Sequence, residues 1–167
     1  EKTDRFTVDV ATTPTDKNAP PAQWAKFRPN FDDYGVVLSN YNGQMWPEVV
    51  QAAFIKYVEA GGGVVIVHAA NNAFYGWTEY NQMIGLGWRG NGFGRRVYYD
   101  EAGKEVHVPK GEGPGAGHGP HQHEYSIVIR DAQHPVTKGM PRIWMHARDE
   151  LYHGQRGPSF LLHTVAT

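Results

Sequence analysis

The stretch Gly61-Gly62-Gly63-Val64-Val65-Ile66-Val67-His68-Ala69-Ala70 decides the fold. Four consecutive β-branched residues behind a run of glycines have the composition of a strand buried on both faces, as in a parallel sheet. Upstream, Val50, Phe54, Tyr57 and Val58 recur at helical spacing after Pro47, whose missing N–H costs nothing in a first helical turn. A helix is therefore predicted over residues 47–60, with Gly61 as its stop. Before it, Val36-Val37-Leu38 reads as a buried strand over residues 34–39 that runs into the turn chemistry of Asn40-Tyr41-Asn42-Gly43. Strand, helix and strand make a βαβ unit.

Outward from this unit, residues 5–12 alternate Phe6, Val8 and Val10 against Thr7, Asp9 and Ala11, which predicts another strand. Residues 16–30 carry scattered prolines and read as a connection pinned by Trp24 and Phe27. Downstream, residues 78–84 form a short helix with Tyr80, Met83 and Ile84 inward, stopped by a series of glycines. Residues 97–99 and 106–108 make a small inserted hairpin, and 111–119 is a Gly/Pro-rich loop. A strand over 125–130, a turn at 133–135, a polar segment over 144–153 and a last strand over 160–165 complete the chain. No internal repeat is visible. The expectation is one α/β domain over residues 1–167. A doubly wound sheet has its first strand inside, so a chain opening and closing on strands is expected to be incomplete at both ends.

At 167 residues, 40% hydrophobic and 20% charged, the chain has ordinary globular composition. Sixteen Lys and Arg against seventeen Asp and Glu create no global field, so neither nucleic acid nor a membrane surface is an expected partner. The absence of cysteine excludes disulfides, a thiolate nucleophile and sulfur-ligated zinc. No G-x-S-x-G elbow, G-x-G-x-x-G fingerprint or phosphate-binding loop is present. Nine His with many aromatic residues point instead to a small-molecule site.

Ligands of open α/β sheets bind beyond the carboxyl ends of the strands, which places Asn40, Asn42, His68, Asn71 and Asn72 on neighbouring loops. His68 is a candidate general base or acid at the sheet rim, or alternatively a histidine bonded to nearby backbone; the asparagines suit sugar hydroxyls or simple turns. His118-x-x-His121-x-His123, with Glu124 adjacent, is a candidate site for a divalent metal such as zinc, against a solvated loop. In a third cluster, on a short helix, His146 would share a face with Glu150 and Asp149 with His153, which makes a carboxylate-oriented imidazole available; a solvated turn is the alternative.

Asn40-Tyr41-Asn42-Gly43 with Trp46-Pro47-Glu48, the glycine-strand-His68 segment, Glu79-Tyr80-Asn81, Gly85-Leu86-Gly87-Trp88, Gly117-His118-Gly119-Pro120, the segment from His134 to Pro141, and Asp149-Glu150-Leu151-Tyr152 together resemble ThuA-like (trehalose-utilisation) proteins. The resemblance runs from about residue 4 to the end. It implies a flavodoxin-like, doubly wound, mostly parallel sheet of the class I glutamine amidotransferase-like superfamily. Where catalytic amidotransferases of that superfamily carry a cysteine, this chain has His68-Ala69-Ala70, so thioester chemistry is excluded. The resemblance also implies a bacterial, periplasmic or secreted setting and handling of a disaccharide or 3-keto-sugar.

The resulting expectation is acid/base elimination, hydrolysis or isomerisation of such a sugar. His68 would serve as base, Glu150 or His146 as its partner, and Trp77, Trp88 and Tyr152 as sugar contacts, with the His118/His121 loop converging on the same pocket. Metal assistance through His118, His121 and His123 is a variant of this reading, and a non-catalytic sugar-binding domain is the alternative.

Overall fold

A computed structural model describes residues 5–16, 18–119 and 121–167. They divide between Ala73 and Phe74 into two compact units.

The first unit is built on the predicted strand-helix-strand. Strands β1 (Val36–Ser39) and β2 (Gly63–Ile66) pair in parallel, with Val36 opposite Gly63 and Leu38 opposite Val65. Helix α2 (Glu48–Glu59) connects them, with Glu48 in its first turn and Lys56 in its last, each favourable to the helix dipole. Pro47 is the residue preceding the helix rather than its first member. The helix stops where Gly61 adopts φ +94°, a left-handed value that only glycine takes freely, and Gly62 N–H donates to the Tyr57 carbonyl at 3.0 Å. Phe31, Trp46, Val50, Phe54 and Tyr57 form the core, with Phe54 edge-on to Phe31 at 5.1 Å and to Trp46 at 5.6 Å.

Two expectations change here. The sheet is not buried on both faces: Val36, Leu38 and Val65 share one face and are 58%, 62% and 46% exposed. The second correction concerns residues 5–12, which form no strand. Phe6, Val8 and Val10 are 79%, 75% and 81% exposed, and Tyr34 ties the segment down through its hydroxyl, which donates to Asp9 Oδ2 at 2.7 Å. Alternation yields a strand only where a neighbour accepts the backbone hydrogen bonds and a surface covers one face. The connection that follows keeps Phe27 buried against Trp46 at 5.5 Å and contains the short helix α1 (Pro21–Trp24).

The second unit begins with α3 (Thr78–Ile84), the predicted helix, whose Tyr80 and Asn81 are buried and which ends at Gly85 with φ +67°. The inserted hairpin is β3 (Arg96–Tyr99) against β4 (Glu105–Val108). Beyond it lie β5 (Gly117–His118), β6 (His123–Val128), β7 (Ile143–Asp149) and β8 (Tyr152–His153). β5 pairs antiparallel with β8, and β6 with β7, so the two ladders follow one another along the same pair of segments as an interrupted ribbon. Gly94 and Gly157 bring backbone against backbone, since a Cβ on Gly94 would lie 2.4 Å from the Gly157 carbonyl oxygen.

Two further corrections fall in this unit. Residues 146–150 belong to a strand and its exit, not a short helix, because β6 pairs with β7 from Val128 opposite Ile143 to His123 opposite Asp149. Residues 160–165 form no strand; Phe160 and Leu161 are exposed, Leu161 takes φ +55°, and pairing is confined to the very end, where Ala166 bridges Ile129. Taken together, the strands pair two by two, one ladder parallel and three antiparallel. This is an α/β arrangement in which the described pairing stops short of a doubly wound sheet.

Candidate functional site

In the first unit the loops after β1 and β2 are neighbours, as parallel pairing requires: Val67 N–H donates to the Ser39 carbonyl at 2.9 Å, immediately before His68. His68 opens a 3-10 turn (His68–Asn72) and holds φ +45°, a left-handed value that is uncommon outside glycine. Its side chain is exposed while Ala70, two residues on, is 1% exposed, so the strand drives the chain into a sharp elbow that presents the imidazole outward. Asn40 and Asn42 are exposed on the first loop, and Asn71 and Asn72 are half-buried on the second.

In the second unit three separately predicted residues meet. Trp88 lies 4.5 Å from Tyr152 and 5.7 Å from His118, ring centre to ring centre, and His118 lies 6.5 Å from Tyr152. His118 and Tyr152 are placed by the β5–β8 ladder, in which they are direct partners and therefore project to one face. Trp88 is placed by its neighbours. Gly87 and Arg156 exchange backbone hydrogen bonds at 3.0 Å, and Ala116 N–H donates to the Arg89 carbonyl at 2.9 Å.

Beneath these bonds sit two arginines that sequence reasoning passed over. Arg89 is 2% exposed; its Nε donates to Asn81 Oδ1 at 2.9 Å, its Nη1 to the Trp88 carbonyl at 3.0 Å, and its guanidinium lies over Tyr75 and Phe93. Asn81 in turn donates to the Trp77 carbonyl at 2.7 Å, so Trp88 is tied back to the start of α3. Arg156 is fully buried and donates to the carbonyls of Gly94, Pro109, Glu112 and Pro114. These carbonyl dipoles replace the water that a buried cation would lose. Burial lowers the affinity of both guanidiniums for their proton, without taking them out of the charged form. The available signal was an arginine beside glycine in segments otherwise poor in charge.

The histidines share a chemical detail. His118 Nδ1 lies 2.8 Å from the Gly119 carbonyl, His146 Nδ1 2.8 Å from the Ala147 carbonyl and His123 Nδ1 3.1 Å from the His121 carbonyl. A carbonyl only accepts, so each neutral ring carries its proton on Nδ1 and presents Nε2 as the basic nitrogen. That is the form required of a general base or a metal ligand. Among the described residues, however, no three His, Asp or Glu side chains gather into a group able to hold a metal ion. His121 is exposed.

The third predicted segment carries a bulge. The ladder passes from Tyr125 opposite His146 to His123 opposite Asp149, two residues facing three. On a regular strand Asp149 and His146 would face opposite ways; the extra residue in β7 turns Asp149 to the side of His146. His146 stacks on Tyr125 at 4.8 Å with planes 8° apart, and His123 lies edge-on to Tyr125 at 5.9 Å. Glu150 follows as a half-buried residue whose N–H donates to Asp149 Oδ1 at 2.8 Å.

Trp77 does not offer a stacking surface. It is 4% exposed, between Phe74 at 5.3 Å and Tyr80 at 5.6 Å, and belongs to the core.

The family model for trehalose utilisation, ThuA, matches residues 2–167. A crystal structure of a protein described as ThuA-like, from Parabacteroides merdae, is similar with a TM-score of 0.87 and 42% identity, over 98% of this chain. The chain spans 57% of the length of that protein. No curated protein sequence matches it. The match over almost every residue, in the order the motifs run, means that the chain belongs to the ThuA, or trehalose-utilisation, family.

Proposed function

We propose that this domain acts on a disaccharide or 3-keto-sugar by acid/base chemistry. The observation that carries the reading is the meeting of Trp88, Tyr152 and His118. Aromatic faces are the standard complement to the apolar side of a sugar ring, and beside them stands an imidazole whose free lone pair is fixed on Nε2.

The hydrogen on the carbon next to a ketone is acidic. A base at Nε2 of His118 removes it, the electron pair moves toward the carbonyl, and the glycosidic bond at the next carbon breaks. The departing sugar oxygen takes up a proton, leaving an unsaturated keto-sugar and a free sugar, with no oxidant or reductant consumed. If the proton is instead returned to a neighbouring carbon, the same base produces isomerisation. Asp149, Glu150 and His146 supply the acid groups of this reading on the same ribbon. His68, at its strained elbow, is the other candidate base.

The test is turnover of 3-keto-trehalose by the wild type, His118→Gln and His68→Ala, with products followed by mass spectrometry. Loss of product formation in His118→Gln, with sugar binding retained, supports the assignment. Loss only in His68→Ala moves the base to the elbow. Saturable sugar binding without product in the wild type replaces the enzyme with a sugar-binding domain built on the same aromatic surface.

A further inference from the structure

A cavity of about 560 Å³ opens in the second unit between the β3–β4 hairpin, the end of β6 and residues 162–164, and none of the aromatic-site residues lines it. Its size is that of a small-molecule site. Its walls carry Arg130 and Arg142 together with Tyr99, Glu105, Asp131 and His163.

The two carboxylates are already supplied with donors. Glu105 accepts from the Tyr99 hydroxyl at 2.8 Å and lies 2.8 Å from His107 Nε2. Asp131 accepts from the backbone N–H groups of Gln133 and His134 and lies 2.8 Å from His163 Nε2. Among the described residues neither guanidinium is ion-paired. Arg130 lies over Tyr99 with Cζ 4.6 Å from the ring centre and uses Nε on Thr167 Oγ1 at 2.8 Å, which leaves its terminal nitrogens as the fork for a further acceptor. Gly103 packs beside that fork, where its φ of +75° suits glycine. Arg142 is anchored through its own carbonyl, which accepts from Ile129 N–H at 2.8 Å.

We propose that this cavity binds a small molecule through a carboxylate or phosphate group held between Arg130 and Arg142. Planar, bidentate recognition of an oxyanion is what guanidiniums outside any ion pair supply, and both arginines line this cavity. The proposal stands independently of the sugar chemistry at Trp88, His118 and Tyr152.

The experiment is calorimetric titration of the whole chain with inorganic phosphate and, separately, with gluconate, against chloride at matched ionic strength. Saturable binding of phosphate alone identifies a phosphate ester as the ligand class, and binding of gluconate alone a sugar acid. In either case Arg142→Gln is expected to weaken binding by about tenfold or more, the loss of one charge-assisted contact. Arg142 is exposed, so the variant is expected to fold. In the wild type, the amide resonances of Gly103 and Thr164 should follow the same isotherm. The proposal is overturned if neither anion binds by about 50 mM, well above the millimolar range of weak specific binding. Unchanged affinity in Arg142→Gln, or shifts confined to Trp88, His118 and Tyr152, would overturn it equally.

Discussion

Arg156 and Gly87 exchange both of their backbone hydrogen bonds, each 3.0 Å long, while the Arg156 side chain holds the carbonyls of four other residues. One residue thereby fixes the loop that carries Trp88 and the Gly/Pro-rich loop that precedes β5. Arg156→Met removes a charged donor from four carbonyls in part-buried bonds, and a hydrogen bond to a charged group contributes about 1.5–3 kcal/mol. The variant should lose about 3 kcal/mol in denaturant unfolding and lose hydrogen-exchange protection at Gly111 and Ala116. Unfolding indistinguishable from wild type would mean that the loops are held by other contacts.

Trp77 and Trp88 should separate folding from recognition. Trp77→Ala opens a void in a buried aromatic cluster and is expected to cost about 3–5 kcal/mol of stability. Trp88, half-buried beside Tyr152 and His118, should tolerate the same change with a much smaller loss, while sugar affinity falls by about tenfold. Thermal melts and a binding isotherm for both variants decide the matter. Equal sugar affinity in Trp88→Ala would remove it from the recognition surface.

The elbow at His68 can be probed through its backbone. At φ +45°, glycine relieves the strain and valine, with its branched Cβ, increases it. His68→Gly should keep or raise stability by up to about 1 kcal/mol, and His68→Val should lower it by about 2 kcal/mol. If His68 is the base, turnover falls in both. A His68→Val protein as stable as the wild type would contradict the strained geometry.

Asp131 gives a pH dependence with a definite sign. The Gln133 N–H first, then His163, hold its carboxyl below the ordinary carboxylate value. A carboxylate depressed in the folded state contributes stability above its unfolded pKa and loses it as pH falls through the folded value. The melting temperature of wild type should therefore exceed that of Asp131→Asn near neutral pH, and the gap should close in the acid range below the ordinary carboxylate value. A gap that stays constant through that range would show that Asp131 acts without its charge.

Much of the fold was legible because local chemistry and tertiary context agreed. Pro47, the Val50/Phe54/Tyr57 spacing and Gly61 mark a helix in any context, and α2 covers nearly the predicted span. The range of α3 and the β3–β4 hairpin were readable for the same reason. The segment 5–12 failed because its alternation describes a surface waiting for a neighbour, and pairing is a property of two segments. Residues 146–150 failed because His, Arg, Asp and Glu are compatible with helix or strand, and only β6 alongside decides between them.

The candidate site divides in the same way. The sequence by itself determined the residue types: no cysteine for a thiol route, histidines after β2 and in the Gly/Pro-rich loop, tryptophan among glycines. It also carried the family, through short motifs in a fixed order. Only the tertiary structure decided that Trp88, His118 and Tyr152 share one surface while Trp77 is core, and that a bulge turns Asp149 toward the side of His146. It alone gave Arg156 its carbonyl cage. The physical reason is that side-chain identity is local, whereas burial, register and the solvation of a buried charge are set by residues distant in the chain.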